Sequence, residues 1–569
     1  MAKVRTGKRF RAKRADKEYD VIVIGSGIGG LANAAFLSLL GQKVAVLEQH
    51  YTAGGFTHAY DRNGYEWDVG VHYIGEVHQP STLRRVFDVI SERRLKWAAM
   101  EPEYDRIILG KEEYGFVAGR ENFATELKKR FPDEQQTIDD YIQLIRDVSR
   151  KTPKFFAGQA MPRWMARMYQ WVRPLLVPKE FFQTTREVLE GMTSNQELIS
   201  VLTGQWGDYG QAPKDAAFVM HALIAKHYLA GGAYPVGGSS EIARTIIPTI
   251  QKGGGEVFTY ADVKRVLIKN NQAYGVELQD GTELLSKKVV SNAGFYNTVT
   301  KLLPENTQKS LGVDKWCHQV QLSSSHFCIY AGFNGTKEEL GINTTNLWIY
   351  PDGRHEENLE RYLENMDEEF PIVYISFPSA KDPDWNNRYP GKSTVEIVTM
   401  AKHEWFAKWK NDQWQKRGEE YEAIKENVSQ RLLEKLFERM PQLRDALDYY
   451  ELSTPLSTDW FQHSTYGEIY GLDHFVDRFK KPFLHPITPV KGLYMTGADV
   501  MTAGVGGALM AGLMTSCAMQ GRKASEVLSL LKNYKEPTAE QETSLKQETN
   551  SERESQEETK AEEAIKQAS

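Results

Sequence analysis

The first apolar run in the chain is YDVIVIG, residues 19–25, in which four consecutive aliphatic side chains end at a glycine. A run of this kind predicts a strand buried on both faces. The small-residue stretch LANAAFLSLLG predicts a helix ending at Gly41, and KVAVLE predicts the next strand. Between residues 254 and 294 the pattern predicts a three-strand meander, with turns at Asn270-Asn271 and Asp280-Gly281. GLYMTGADVMTAGVGGALMAGLMTSCAMQG reads as strand, glycine-rich turn and helix. HFCIYAGFNG and TVEIVTM read as strands, and YEAIKENVSQRLLEKLFERM as a helix ending before Pro441.

One segment has a second reading. In residues 161–182, Trp164, Met165, Met168, Trp171, Val172 and Leu175 recur at helical spacing among Arg163, Arg167, Arg173 and Lys179. This predicts either a core-packing helix with a basic edge or a helix lying in a membrane surface.

The first strand runs straight into GSGIGG, with Gly25, Gly27 and Gly30 in G-x-G-x-x-G register around Ser26 and Gly29. The second strand ends at Glu48, which Gln49 follows. Gly25 allows the tight turn, Gly27 admits a pyrophosphate, and Gly30 lets helix and strand pack closely. The helix N-terminus faces the phosphates, and Glu48 can accept hydrogen bonds from a ribose. This predicts a dinucleotide site, and the motif alone leaves FAD and NAD both open.

The 569 residues are 41% hydrophobic and 26% charged, which describes a globular chain with a large core. A net charge of −6 gives no reason to expect nucleic-acid binding. Cys317, Cys328 and Cys517 have neither metal-ligand spacing nor an even count, which favours a reducing compartment and a cytoplasmic location. No metal site, signal peptide or transmembrane run is expected. Residues 1–18 are basic and predicted to form a disordered, solvated leader or an anionic-lipid contact. Residues 535–569, rich in Glu, Gln, Ser, Thr and Lys, are predicted to be disordered.

The stretch EQHYTAGGFTHAYDRNGYEWDVGVHYIG, with Gly54-Gly55 shortly after the acid and Gly70 beyond, resembles the extended FAD fingerprint of glutathione-reductase-type flavoproteins. That resemblance implies FAD and a glutathione-reductase-like α/β fold. It also implies adenine contact at Val263, ribityl or phosphate contact at Asp499 after Gly497, and a helix carrying Gly506 and Gly507 aimed at the flavin. Asp499 could equally be a helix N-cap.

LEQHYTAGGFTHAYDRNGYEWDVGVHYIGEV, AYPVGGSSEIARTIIPTI, STPLSTDWFQHSTYGEIYGLDHF and the C-terminal GLYMTGAD block together are similar to the retinol saturases of the phytoene desaturase and carotenoid isomerase family. They occur in family order from about residue 19 to about 530. The departures are GGFTH after the acid and a charged insertion at 352–368.

The resemblance implies a discontinuous FAD-binding domain from 19–100, 230–310 and 455–532, interleaved with an α+β substrate domain from 101–229 and 311–454. It implies an oxidoreductase that saturates a carbon–carbon double bond of a long apolar polyene or lipid, with peripheral membrane contact. Desaturation or cis–trans isomerisation would suit the same scaffold. A prenyl-lipid-binding chaperone without FAD is the alternative from another class, and the intact glycine set with Glu48 argues against it.

His72, Tyr73 and Glu76, directly after the flavin contacts, are the catalytic candidates; Tyr466 and Tyr470 come second, and packing roles are open for each. With no second G-x-G-x-x-G unit, NADPH or NADH as electron donor would have to bind without its own Rossmann domain.

Overall fold

The computed structural model describes residues 5–535. Residues 536–569 of the expected disordered tail lie outside them. A six-stranded sheet forms the base, in the order Lys8–Arg9, Glu256–Thr259, Val44–Leu47, Val21–Ile24, Val289–Ser291, Leu493–Met495. Every neighbouring pair is parallel. Val21–Ile24 and Val44–Leu47 are buried throughout, as their unbroken apolar runs require of strands covered on both faces. The strands come from near residues 8–47, 256–291 and 493–495, so one sheet is built from widely separated parts of the chain.

Helix Ile28–Leu39 ends before Gly41, whose φ of +80° stops it. Helix Gly504–Gln520 packs against it through small residues. A Cβ on Gly512 would stand 2.6 Å from the carbonyl oxygen of Gly29, and Asn33 donates to Ser516 at 2.9 Å. The predicted meander is present as Val263–Lys269, Gln272–Leu278 and Glu283–Leu285. Asn270 and Asn271, both at positive φ, form its first turn.

A seven-stranded sheet stands over this base. Its order is Leu447–Ser453, Ser325–Asn334, Lys392–Ala401, Val373–Ser376, Asn346–Tyr350, Glu103–Leu109, Glu112–Val117. One face packs Phe327, Ile329 and Ile397 into a core that includes Leu432, Leu433 and Leu436 of helix Glu419–Arg439. In the antiparallel ladder Cys328 lies opposite Val398 and Tyr330 opposite Glu396. Side chains alternate along a strand, so His326, Cys328 and Tyr330 share the other face with Glu396, Val398 and Met400.

The basic leader departs from expectation. Lys8–Arg9 is an edge strand paired with Glu256–Thr259. Thr6 is buried against Thr52 and Ala53, and Phe10 meets Phe258 edge-on with ring centroids 5.5 Å apart. Charged side chains belong on an edge strand, where they discourage further pairing, and two inward residues suffice to anchor this one. Phe10→Ala should therefore lower stability by about 3 kcal/mol in urea denaturation. An unchanged midpoint would restore the solvated leader.

Candidate functional site

The C-terminal ends of Val21–Ile24, Val44–Leu47 and Val289–Ser291 open onto one cavity of about 460 Å³, a size suited to a cofactor. Helix Ile28–Leu39 begins there with Gly27 as its N-cap, and helix Gly504–Gln520 with Ala503. Neither cap residue supplies a side-chain hydrogen bond, so first-turn N–H groups of both helices remain for a ligand.

Backbones crowd here around one side chain. A Cβ on Gly27 would lie 2.8 Å from Nδ2 of Asn292, and on Gly29 or Gly497 it would lie 2.8 or 2.6 Å from Oδ1 of the same asparagine. Gly25 takes φ +90°, and a Cβ on Gly30 would meet the Gly25 carbonyl oxygen at 2.3 Å. Gly55, at φ +57°, approaches so closely that its Cβ would be 2.9 Å from the Gly27 Cα.

Thirteen of the sequence-predicted residues line the cavity: Gly25, Gly27, Gly29, Glu48, Gln49, Gly54, Gly55, Gly70, His72, Val263, Tyr470, Gly497 and Asp499. Ser26 stands behind it, donating its N–H (2.9 Å) and hydroxyl (2.6 Å) to Glu48 Oε2, while His50 N–H donates to Oε1 at 2.8 Å. This fixes the acid at the strand end. Gln49 Nε2 donates to the Phe461 carbonyl at 3.0 Å. Asp499 caps no helix; its two oxygens accept the N–H groups of Phe295 (2.6 Å) and Leu472 (2.8 Å) and tie two loops together.

Gly506 and Gly507 do not reach the cavity. Gly506 faces Leu83 and His227, and Gly507 packs on Thr502, so Gly504, Val505 and Ala508 present this helix end instead. Tyr73 and Glu76 also lie elsewhere: Tyr73 directly follows His72 in an extended segment, whose successive side chains point to opposite sides, and Glu76, at φ +61°, turns out of that segment. Tyr73 stacks on Tyr228 at 4.1 Å, and its hydroxyl lies 2.8 Å from Asp105 and 3.2 Å from Asp208. Glu76 pairs with Lys226 and His227. Tyr466 is half exposed, whereas Tyr470 lines the cavity and donates to the Gly207 carbonyl at 3.0 Å.

The far wall is the inner face of the seven-stranded sheet, with His326, Cys328 and Val398. Sequence reasoning missed these residues and, behind them, Glu396 and Lys381. His72 Nδ1 lies 2.8 Å from Glu396 Oε2, and among the described residues neither atom makes a hydrogen bond. Burial drives the Glu396 carboxyl up to about 8, against the opposing Asp68 amide and Lys381. Burial, helped by Lys381, drives His72 down to about 3. Lys381 itself, lowered by burial to about 7, donates to the His72 carbonyl at 3.0 Å, to Ser376 at 2.7 Å and to Asn346. The signal was available: Glu396 is the one charged side chain within the apolar run TVEIVTM.

These residues fit FAD. A crevice without side chains meets two helix N-termini, for the phosphates and for the ring that gains negative charge on reduction, and an anchored acid stands at the strand end for the ribose. Among the described residues no cluster of His, Cys, Asp and Glu could hold a metal ion. Gly55→Ala closes the crevice, so the affinity for FAD in a binding titration should fall by at least about tenfold, the effect of some 1.4 kcal/mol, with near-UV circular dichroism retained. An unchanged affinity would mean the crevice is not the binding route.

Residues 28–520 match the model of the flavin containing amine oxidoreductases. An all-trans-retinol 13,14-reductase of Danio rerio is 36% identical over 94% of this chain and 91% of its own. A second Danio rerio protein, named an inactive all-trans-retinol 13,14-reductase, is 34% identical over 90% and 88%. A prolycopene isomerase of Daucus carota is 24% identical over 77% and 69%. Among solved structures, an oxidoreductase from Methanosarcina mazei superposes with a TM-score of 0.58 at 18% identity, covering 87% of this chain and 98% of its own, a likeness of fold. The chain is thus an FAD-type oxidoreductase belonging to the flavin containing amine oxidoreductase family, where it groups with the all-trans-retinol 13,14-reductases.

Proposed function

We propose that the protein saturates one carbon–carbon double bond of a long apolar polyene, a retinoid- or carotenoid-like lipid. The observation that carries this reading is the buried Glu396 carboxyl 2.8 Å from His72 in the cavity wall. When bound and reduced, FAD supplies a hydride to one carbon of such a bond.

The neighbouring carbon then needs a proton from a site closed to water. His72, held neutral by burial, gives up its ring proton to that carbon while Nδ1 takes the Glu396 proton. Cys328, Val398 and Leu322 offer the apolar side of the cavity to the chain of the substrate. The names borne by the relatives, reductases and an isomerase of polyenes, support this substrate class. NADPH or NADH is the proposed reductant, bound without a second Rossmann unit.

No helix among the described residues is long and apolar enough to cross a membrane. The helix Arg163–Val172 instead leaves Trp164 65%, Met168 64% and Trp171 86% exposed, with Leu175 just beyond at 85%. At i, i+4, i+7 and i+11 they form one apolar stripe, which supports docking on a bilayer that delivers the lipid.

Two measurements test the reading. In an anaerobic spectrum, NADPH should bleach the flavin band, and all-trans-retinol or a carotenoid should restore it while gaining two hydrogens. Bleaching by the polyene itself would make the protein a desaturase, and loss of neither colour nor substrate with isomer formation would make it an isomerase. In the second, the donor form of Glu396 is complete at pH values below about 8 and lost above it. Turnover should therefore be level through neutrality and decline above about pH 8, approaching tenfold per unit, with Glu396→Gln abolishing both activity and this limb. A profile flat across pH 8 would remove Glu396 from the proton path.

A further inference from the structure

The flank of the exposed helix borders a second cavity, of about 50 Å³, with room for a few water-sized groups. Five cationic side chains line it, Arg163, Arg167, Arg173, Arg478 and Lys481, against one carboxylate, Asp499. Both Asp499 oxygens are already held by the amides of Phe295 and Leu472. Arg478 is fully committed as well, donating to the carbonyls of Leu472, Asp473 and Ala498.

The other four cations are not committed in this way. Arg173 is only 8% exposed, lies over Phe155 and donates Nη2 to the Phe479 carbonyl at 2.9 Å. Its Nε is buried, with no hydrogen-bond partner among the described residues. Among the described residues no carboxylate stands against Arg163 or Arg173: burial lowers both, and Arg167 lowers Arg163 further by like-charge repulsion. Asp477, the acid whose field Lys481 reaches, is paired with Lys480 at 2.8 Å. A buried guanidinium with a free donor, in a net-positive hollow, calls for an anion.

The helix identifies the source of that anion. At about 100° per residue, Arg163, Arg167 and Gln170 lie on the cavity flank, roughly a third of a turn from the Trp164–Met168–Trp171 stripe. A helix lying in an interface sinks its apolar face about 5–10 Å below the headgroups, which brings this flank to phosphate level. We propose that this cavity receives the phosphate of an anionic phospholipid headgroup when the helix docks. The proposal rests on the bilayer contact argued above and names the lipid it selects.

Flotation of the holoprotein with vesicles of phosphatidylcholine alone, or with added phosphatidic acid or phosphatidylserine, tests both. Wild type should bind the anionic vesicles on the order of tenfold more tightly. Trp164→Glu with Trp171→Glu should abolish binding to every vesicle. Arg173→Gln, and separately Arg163→Gln with Lys481→Gln, should keep phosphatidylcholine binding and flavin content but lose the anionic preference.

Preference that persists in the folded, flavin-loaded variants overturns the pocket while leaving membrane docking intact. Equal wild-type binding to both kinds of vesicle does the same. Failure to bind any vesicle overturns the docking itself and the pocket with it. Release from anionic vesicles by inorganic phosphate at physiological ionic strength identifies a site for soluble anions, and overturns the lipid assignment.

Discussion

Everything in this molecule depends on the absence of side chains around Asn292. Gly27, Gly29 and Gly497 each approach it to a distance that a Cβ would violate, and Gly30 presses on Gly25 beside it. Close approach of backbones is what lets the first helix, the strand Val289–Ser291 and the final strand share one crevice. It also leaves the N–H groups of two helices without side-chain caps. A single methyl at several of these positions would have to displace Asn292 or the backbone beside it.

The second organising feature is electrostatic. Strand Lys392–Ala401 turns an acid toward a dry interior, and the short helix Pro378–Lys381 sends a lysine to the same place. Neither charge has water to stabilise it, so each is pushed toward its neutral form and the group titrates near physiological pH. Asp68, raised by burial and by Glu396 to about 7, belongs to the same network through its backbone N–H, which donates to Glu396 at 2.8 Å, while Tyr234 and Ser239 donate to its carboxyl. Perturbed groups gathered at a cavity wall are what proton transfer requires, and a purely structural core would gain more from apolar side chains there.

Much of the nucleotide half was legible in the sequence, because its signals are local. Glycines at fixed spacing, an unbroken aliphatic strand and an acid at the next strand end each report their own surroundings. The reaction side was harder because its residues meet only through tertiary structure. His72 was found by adjacency to the flavin segment, but adjacency misled for Tyr73, which turns into another core, and for Glu76, which pairs with Lys226 and His227. His326, Cys328 and Glu396 join the site through strand register, which no single segment reveals. The basic leader deceived through composition: eight positive charges concealed the inward Thr6 and Phe10 that hold it to the sheet.

The base sheet takes its strands from both ends and the middle of the chain, and the cavity is closed by Gly504, Val505 and Ala508. During synthesis, therefore, the ribosome releases the phosphate-binding turn hundreds of residues before the last wall of the crevice exists. Prematurely ended products lack that wall and the strand Leu493–Met495 beside Val289–Ser291. Colour in the purified protein thus doubles as a certificate of translation carried past Ala508.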